Sequence, residues 1–151
     1  LLLRLGCQGV TPCEWGRAIG RVNTVLDDLE IASAERHVVN GSGLYQASKL
    51  SARATTTLLV AMANNDVFRS SMAIPGKPGT LSRRLKALGR GARMMAKTGT
   101  LDEVVGLAGY LTTKGGETLA FSVIVNRPEG LKLAATRQHI DRLIRRLARR
   151  R

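Results

Sequence analysis

With 151 residues, the chain has room for one domain with a sizeable core and too few residues for two ordinary ones. A hydrophobic content of 44% excludes wholesale disorder, while 3% aromatics leave the core to Leu, Val, Ile, Ala and Met. The formal charge of +13 is uneven, because Arg142, Arg145, Arg146, Arg149, Arg150 and Arg151 crowd the last ten positions.

That arginine run reads as the solvated outer face of a helix, with nucleic acid, an anionic membrane or an acidic wall polymer as the competing partner. No apolar run reaches the roughly 18 residues that span a bilayer. The chain opens at Leu1 without a charged leader region, so no signal peptide is expected. A start inside Leu1-Leu2-Leu3-Arg4-Leu5 suggests that an upstream part is missing.

Cys7 and Cys13 match no metal spacing. Whether they pair depends on compartment and geometry, which the sequence leaves open. His37 and His139 stand far apart and read as surface or capping residues rather than ligands or bases. Neither a metal nor a cofactor is expected.

In chain order, Thr11, Pro12 and Glu14 mark a helix start, with Thr11 as cap and Glu14 closing a capping box. Trp15, Ala18, Ile19, Val22, Leu26 and Leu29 follow at helical spacing and predict one buried stripe, the helix running to about Glu30. Asn40-Gly41-Ser42-Gly43 is a loop by composition. Ser51 caps a second expected helix, which turns Leu58, Leu59 and Met62 inward and ends near Asn64-Asn65. Pro75 to Gly79 is a further loop, followed by a short helical turn over Ser82 to Leu88 that Gly89 and Gly91 end.

Three strands are expected next, over Ala92–Thr98, Val104–Thr112 and Leu119–Asn126, with Lys114-Gly115-Gly116 as the hairpin turn between the last two. Val104 to Leu111 is apolar on both alternating faces and suits a central strand covered on both sides. A last helix, about Leu133 to Arg149, carries Ile140, Leu143, Ile144 and Leu147 on one stripe and covers one face of the sheet. The fold class is α/β: helices, a three-stranded antiparallel meander, then a C-terminal helix, all part of one sandwich.

Ala96-Lys97-Thr98-Gly99-Thr100-Leu101 is the sharpest chemical signal. A phosphate loop would need a glycine at Ala96 and a helix directly after Thr98, whereas Val104-Val105-Gly106-Leu107 reads as another strand. The competing reading is the Lys-Thr-Gly element of penicillin-recognising enzymes, which works from an edge of an antiparallel sheet. There a lysine brings positive charge to a substrate carboxylate, Thr98 and Thr100 add hydroxyl donors, and Gly99 removes a side chain where a substrate backbone must approach. On the tripeptide alone, a solvated hairpin lysine is the better reading.

The neighbouring segments shift that balance. In order come Asn40-Gly41-Ser42-Gly43-Leu44, Gly79-Thr80-Leu81-Ser82-Arg83, the Lys97 segment, Leu107-Ala108-Gly109-Tyr110, and Ala120 to Asn126. Together they resemble the C-terminal half of the transpeptidase-like domain in class C, low-molecular-mass penicillin-binding proteins, the serine D-Ala-D-Ala carboxypeptidases and endopeptidases. The resemblance runs from Leu1 to about Asn126, and the last helix fits that fold's α-β-α sandwich. Residues 1–151 would then be the C-terminal part of one such domain.

The resemblance implies an exported periplasmic or extracellular enzyme that cleaves peptidoglycan peptides ending in D-Ala-D-Ala and is acylated by β-lactams when intact. Lys97 would be the catalytic lysine of the third motif. Thr98, Gly99 and Thr100 would bind substrate, and the Thr100 N–H would be one oxyanion donor. No metal, cofactor, membrane span or nucleic acid is implied.

Departures from the family pattern are as informative. None of the eight serines is followed three positions on by Lys, or two positions on by Asn, so Ser-x-x-Lys and Ser-x-Asn are both absent from these residues. Asn40 stands where the family usually has Asp, and Tyr45 where it usually has Ser. The expectation is a fragment that is inactive alone. The alternative is a basic protein that binds nucleic acid or an anionic polymer, against which the low aromatic content and lack of a nucleic-acid motif count.

Overall fold

In a computed structural model, helix α1 spans Trp15–Asp28. The structure describes Cys7 and residues 14–43, 47–126 and 130–151, so the predicted cap at Thr11 and the position of Tyr45 lie outside the described residues. The helix stops two residues before the expected Glu30, because Glu30 itself takes a positive φ of 57°. The Ile31 N–H then bonds back to Leu26 O at 3.0 Å.

The expected buried stripe is only partly realised. Ala18 is buried, Ile19, Val22, Leu26 and Leu29 are half-buried, and Trp15 is 47% exposed. Its indole N–H donates to Val39 O at 2.8 Å, so the ring follows a polar anchor rather than the apolar stripe. Cys7 is disulfide-bonded, and the sequence has one other cysteine.

The chain divides into two units, Leu1–Leu58 and Leu59–Arg151. In the first, a 3-10 turn at Ser33–Glu35 leads into a ribbon absent from the sequence reading: β1 (Arg36–His37) pairs antiparallel with β2 (Lys49–Leu50). Two-residue strands are too short to show a period of two. The ribbon brackets the predicted loop, where Asn40 Oδ1 accepts from the N–H groups of Ser42 (3.1 Å) and Gly43 (3.2 Å). Ser51 caps α2 (Ala52–Ala61) as expected, its hydroxyl accepting from the Ala54 N–H at 2.9 Å.

The second helix ends at Ala61, before the expected Asn64-Asn65. Asn65 instead starts a new helix, α3 (Asp66–Ser70), accepting from the Phe68 N–H at 2.9 Å. Ser82 to Leu88 forms turns and bends rather than the expected helical turn, and Leu85 carries a φ of 53°. Leu81, Leu85 and Leu88 are nevertheless buried, so their spacing reported burial and not helix.

The meander follows as β3 (Arg93–Thr100), β4 (Val104–Thr112) and β5 (Thr118–Asn126) in the order β3-β4-β5. The first strand extends two residues beyond the expected Thr98. Thr113 N–H to Glu117 O (2.7 Å) and Gly116 N–H to Thr113 O (3.0 Å) close the predicted turn. Gly109 is required by the fold: a Cβ there would sit 2.2 Å from Met95 O on the paired strand.

Both faces of the sheet are covered, as the pattern of Val104 to Leu111 predicted. On one face Met94, Ala96, Val105, Leu107 and Leu111 pack with Ile140 and Ile144 of the last helix, α4 (Leu133–Ala148). On the other, Tyr110 clusters with Leu59 and Met72, with Met95 and Phe68 against them. The result is the expected α/β sandwich.

One stripe residue is corrected. Leu143 is 44% exposed, and the inward positions of α4 are Thr136, Ile140, Asp141, Ile144 and Ala148. Asp141 is buried because Arg84 meets it with two bonds, Nη2 to Oδ1 at 2.7 Å and Nε to Oδ2 at 3.3 Å. That fork pins the helix to the loop before β3. Arg142, Arg146 and Arg149 to Arg151 are exposed, as a solvated outer face requires.

Candidate active site

The edge of β3 is where the sequence signal lies. Near its middle, Ala96 exchanges two backbone bonds with Ala73, N–H to O at 2.9 Å and 3.0 Å, on the side away from β4. Main-chain groups alternate sides along a strand. Thr98 and Thr100 therefore also turn their N–H and C=O groups away from β4, while Lys97 and Gly99 turn theirs toward it. The β3–β4 hairpin supports the same parity, since Leu101 N–H bonds to Val104 O at 2.8 Å two pairs beyond Gly99 and Gly106. Past Ala73, no strand pairs with this edge among the described residues.

Side chains alternate as well. Lys97 falls on the face of Met95 and Tyr110, is exposed, and donates from Nζ to Thr98 O at 3.1 Å. Thr98, half-buried, and Thr100, exposed, fall on the face of Met94 and Ala96, toward α4. From that helix Arg137 Nη2 donates to Thr100 Oγ1 at 3.1 Å. The structure thus brings Lys97, Thr98, Gly99 and Thr100 together on one open strand edge, and adds Arg137, which the sequence reading missed. Its signal was a charged residue at a position whose helical neighbours Ile140, Asp141 and Ile144 all face inward.

Gly99 behaves unlike Gly109. A Cβ at Gly99 would meet nothing nearer than 4.0 Å, and its φ is not positive, so the fold itself does not demand glycine there.

A groove of about 700 Å³ in the same unit is lined by Arg69, Lys77, Leu88, Arg93, Met95 and Tyr110 among others, and by none of Lys97 to Thr100. In it, burial pushes the Tyr110 phenol above its ordinary value, while the Arg69 guanidinium, 5.6 Å from the ring centroid, pulls the other way. The hydroxyl donates to Leu59 O.

His37 lies exposed on β1. His139 is exposed too, its Nδ1 2.7 Å from Ala135 O. Among the described residues no three His, Cys, Asp or Glu side chains gather as a metal site, and no helix is long and apolar enough to cross a membrane.

Comparison with known proteins places the chain in a family. A carboxypeptidase of Mycobacterium tuberculosis is 32% identical over 124 residues, covering 76% of this chain and 27% of that protein. A D-alanyl-D-alanine carboxypeptidase of Actinomadura is 28% identical over 138 residues, covering 86% and 26%. The chain therefore spans about a quarter of the length of these relatives. Penicillin-binding protein 4 of Haemophilus influenzae superposes with a TM-score of 0.78 at 24% identity, covering 92% of this chain and 33% of that one. The profile of the D-Ala-D-Ala carboxypeptidase 3 (S13) family matches residues 1–147, and the chain belongs to that family.

Proposed function

We propose that residues 1–151 form the C-terminal part of a transpeptidase-like domain and supply the third active-site element of a serine D-Ala-D-Ala carboxypeptidase or endopeptidase acting on peptidoglycan peptides. The observation that supports this most is the outward-facing main chain of Thr98 and Thr100 on an edge without a strand partner among the described residues, with the exposed Lys97 directly before them and Gly99 between them. An extended peptide can add to such an edge through backbone hydrogen bonds.

In this reading the Thr98 and Thr100 hydroxyls hold the terminal carboxylate and Lys97 supplies the opposite charge. The Thr100 N–H donates to the oxygen on which negative charge develops as the carbonyl is attacked. Gly99 leaves the substrate backbone free to approach. The attacking serine is a weak nucleophile without a positioned base. Since these 151 residues contain no Ser-x-x-Lys, the chain by itself forms no acyl-enzyme.

β-Lactams are ligands of the intact enzyme in this reading, and a structure of the Haemophilus influenzae penicillin-binding protein 4 is of its complex with one. The place of work is periplasmic or extracellular, where peptidoglycan lies. The test is an amide-resolved NMR titration with diacetyl-L-Lys-D-Ala-D-Ala. Shifts confined to Lys97 through Thr100 and their β4 neighbours are expected, and Lys97→Ala should abolish them. A titration in which those amides do not move overturns the reading.

A further inference from the structure

Arg137 is an odd residue for its place. Its helical position lies with the inward-facing Ile140, Asp141 and Ile144, yet it carries a charge, and it makes no ion pair among the described residues. One end of the guanidinium donates to Thr100 Oγ1 at 3.1 Å, while its Nε–H is buried without a hydrogen-bond partner. A buried donor left unpaired, on a cation left uncompensated, is costly unless an anion arrives.

The contact also constrains Thr100. A hydroxyl has one proton to donate. By accepting from Arg137, the Thr100 oxygen has one of its two lone pairs engaged, and its proton is left for another acceptor. Among the described residues no acceptor takes it. Arg137 itself is held in place one helical turn from Asp141, whose fork to Arg84 fixes that stretch of α4.

The geometry points to Arg137 as a positioning residue for carboxylate recognition at this edge. It sets the Thr100 hydroxyl as a donor and places a positive charge behind it, so that a ligand ending in a free carboxylate is preferred over the same ligand ending in an amide. The inference rests on the proposed peptide-binding role of Lys97 to Thr100 and adds to it a determinant from a different element, 37 residues further along the chain.

The test compares diacetyl-L-Lys-D-Ala-D-Ala with its C-terminal carboxamide by NMR titration of the 151-residue chain and three variants, with the β4 and β5 amide shifts as the check on folding. The wild-type chain should bind the acid about tenfold more tightly than the amide, a ratio that one charge-assisted hydrogen bond supplies. Arg137→Ala should narrow the preference to the part that Lys97 supplies, by weakening the acid alone. Arg137→Gln, which can still donate to Thr100 but carries no charge, should keep part of the preference, and Arg137→Lys should keep more.

An acid-over-amide preference that Arg137→Ala leaves undiminished overturns the inference and leaves the peptide-binding reading standing. Shifts for neither ligand in the wild-type chain overturn both. A merely structural Arg137 would weaken the two ligands alike, which also sinks it.

Discussion

The two units of this chain are held together by different means. Among the described residues of the first, only Cys7, Ala18, Ile31 and Ala54 are buried apolar side chains. Its order comes mainly from polar ties: the Asp27–Arg36 ion pair, Glu35 accepting from Ser51 at 3.0 Å and pairing with Arg53 at 3.4 Å, and the Trp15 indole on Val39. The second unit buries fifteen apolar residues around a three-stranded sheet and needs few polar ties beyond the Arg84–Asp141 fork. Hydrophobic burial is the larger stabilising force, whereas exposed ion pairs contribute up to about 1 kcal/mol each. The difference teaches where the functional residues can sit. Lys97 to Thr100 and Arg137 all belong to the well-packed unit, whose rigid elements hold them in place.

The sharpest way to break this comparison is a core truncation in each unit. Ile144→Ala should cost about 4 kcal/mol and Ile31→Ala about 2 kcal/mol, read as shifts of urea midpoints by circular dichroism. Trp15 is the sole tryptophan, so its fluorescence reports on the first unit. Equal costs for the two variants would show that the first unit has as dense a core as the second. Next in size is the buried fork. Arg84→Ala strands the Asp141 carboxylate and should cost about 3 kcal/mol, while Arg53→Ala, whose side chain is 84% exposed, should cost no more than about 0.5 kcal/mol.

A smaller effect is expected at Tyr110. Tyr110→Phe removes the bond to Leu59 O and should cost about 1 kcal/mol at neutral pH. The folded phenol holds its proton above its ordinary value, so it binds more protons folded than unfolded at alkaline pH. Its contribution is complete below the unfolded value near about 10 and is lost as pH rises through the folded value. The stability of the wild-type chain should therefore fall more steeply above that point than that of Tyr110→Phe, and parallel curves would remove burial as the cause. The last expected effect is none at all: incubating the 151-residue chain with penicillin should add no mass, because no serine here has a lysine three positions on. A stoichiometric adduct mapped to any serine would place a nucleophile where the sequence pattern denies one.

Legibility followed the length of the pattern. β4 was read to the residue, since nine apolar or small positions in a row leave no other register, and α4 was read to within one residue. The errors fell where the pattern was short or local chemistry competed. The β1–β2 ribbon has two residues per strand, and α3 is five residues started by an asparagine that also suits a turn. Leu81, Leu85 and Leu88 sit at helical spacing in a segment that is not helical, because spacing records which side chains are buried and not how the backbone brings them there. Lys97 was found from its neighbours in sequence. Arg137 was not, because nothing local to residue 137 says what lies across the sheet.

By itself, then, the sequence determined the meander, its turn, the terminal helix and the identity of the residues on the β3 edge, all of which rest on interactions between near neighbours in the chain. Only the tertiary structure decided that Ala73 takes the edge at Ala96 and leaves Thr98 and Thr100 without a strand partner among the described residues, that Arg84 captures Asp141, and that Arg137 meets Thr100. Each of those joins residues more than twenty positions apart. Their geometry is set by how a sheet and a helix pack against one another, and periodicity within either element carries no record of it.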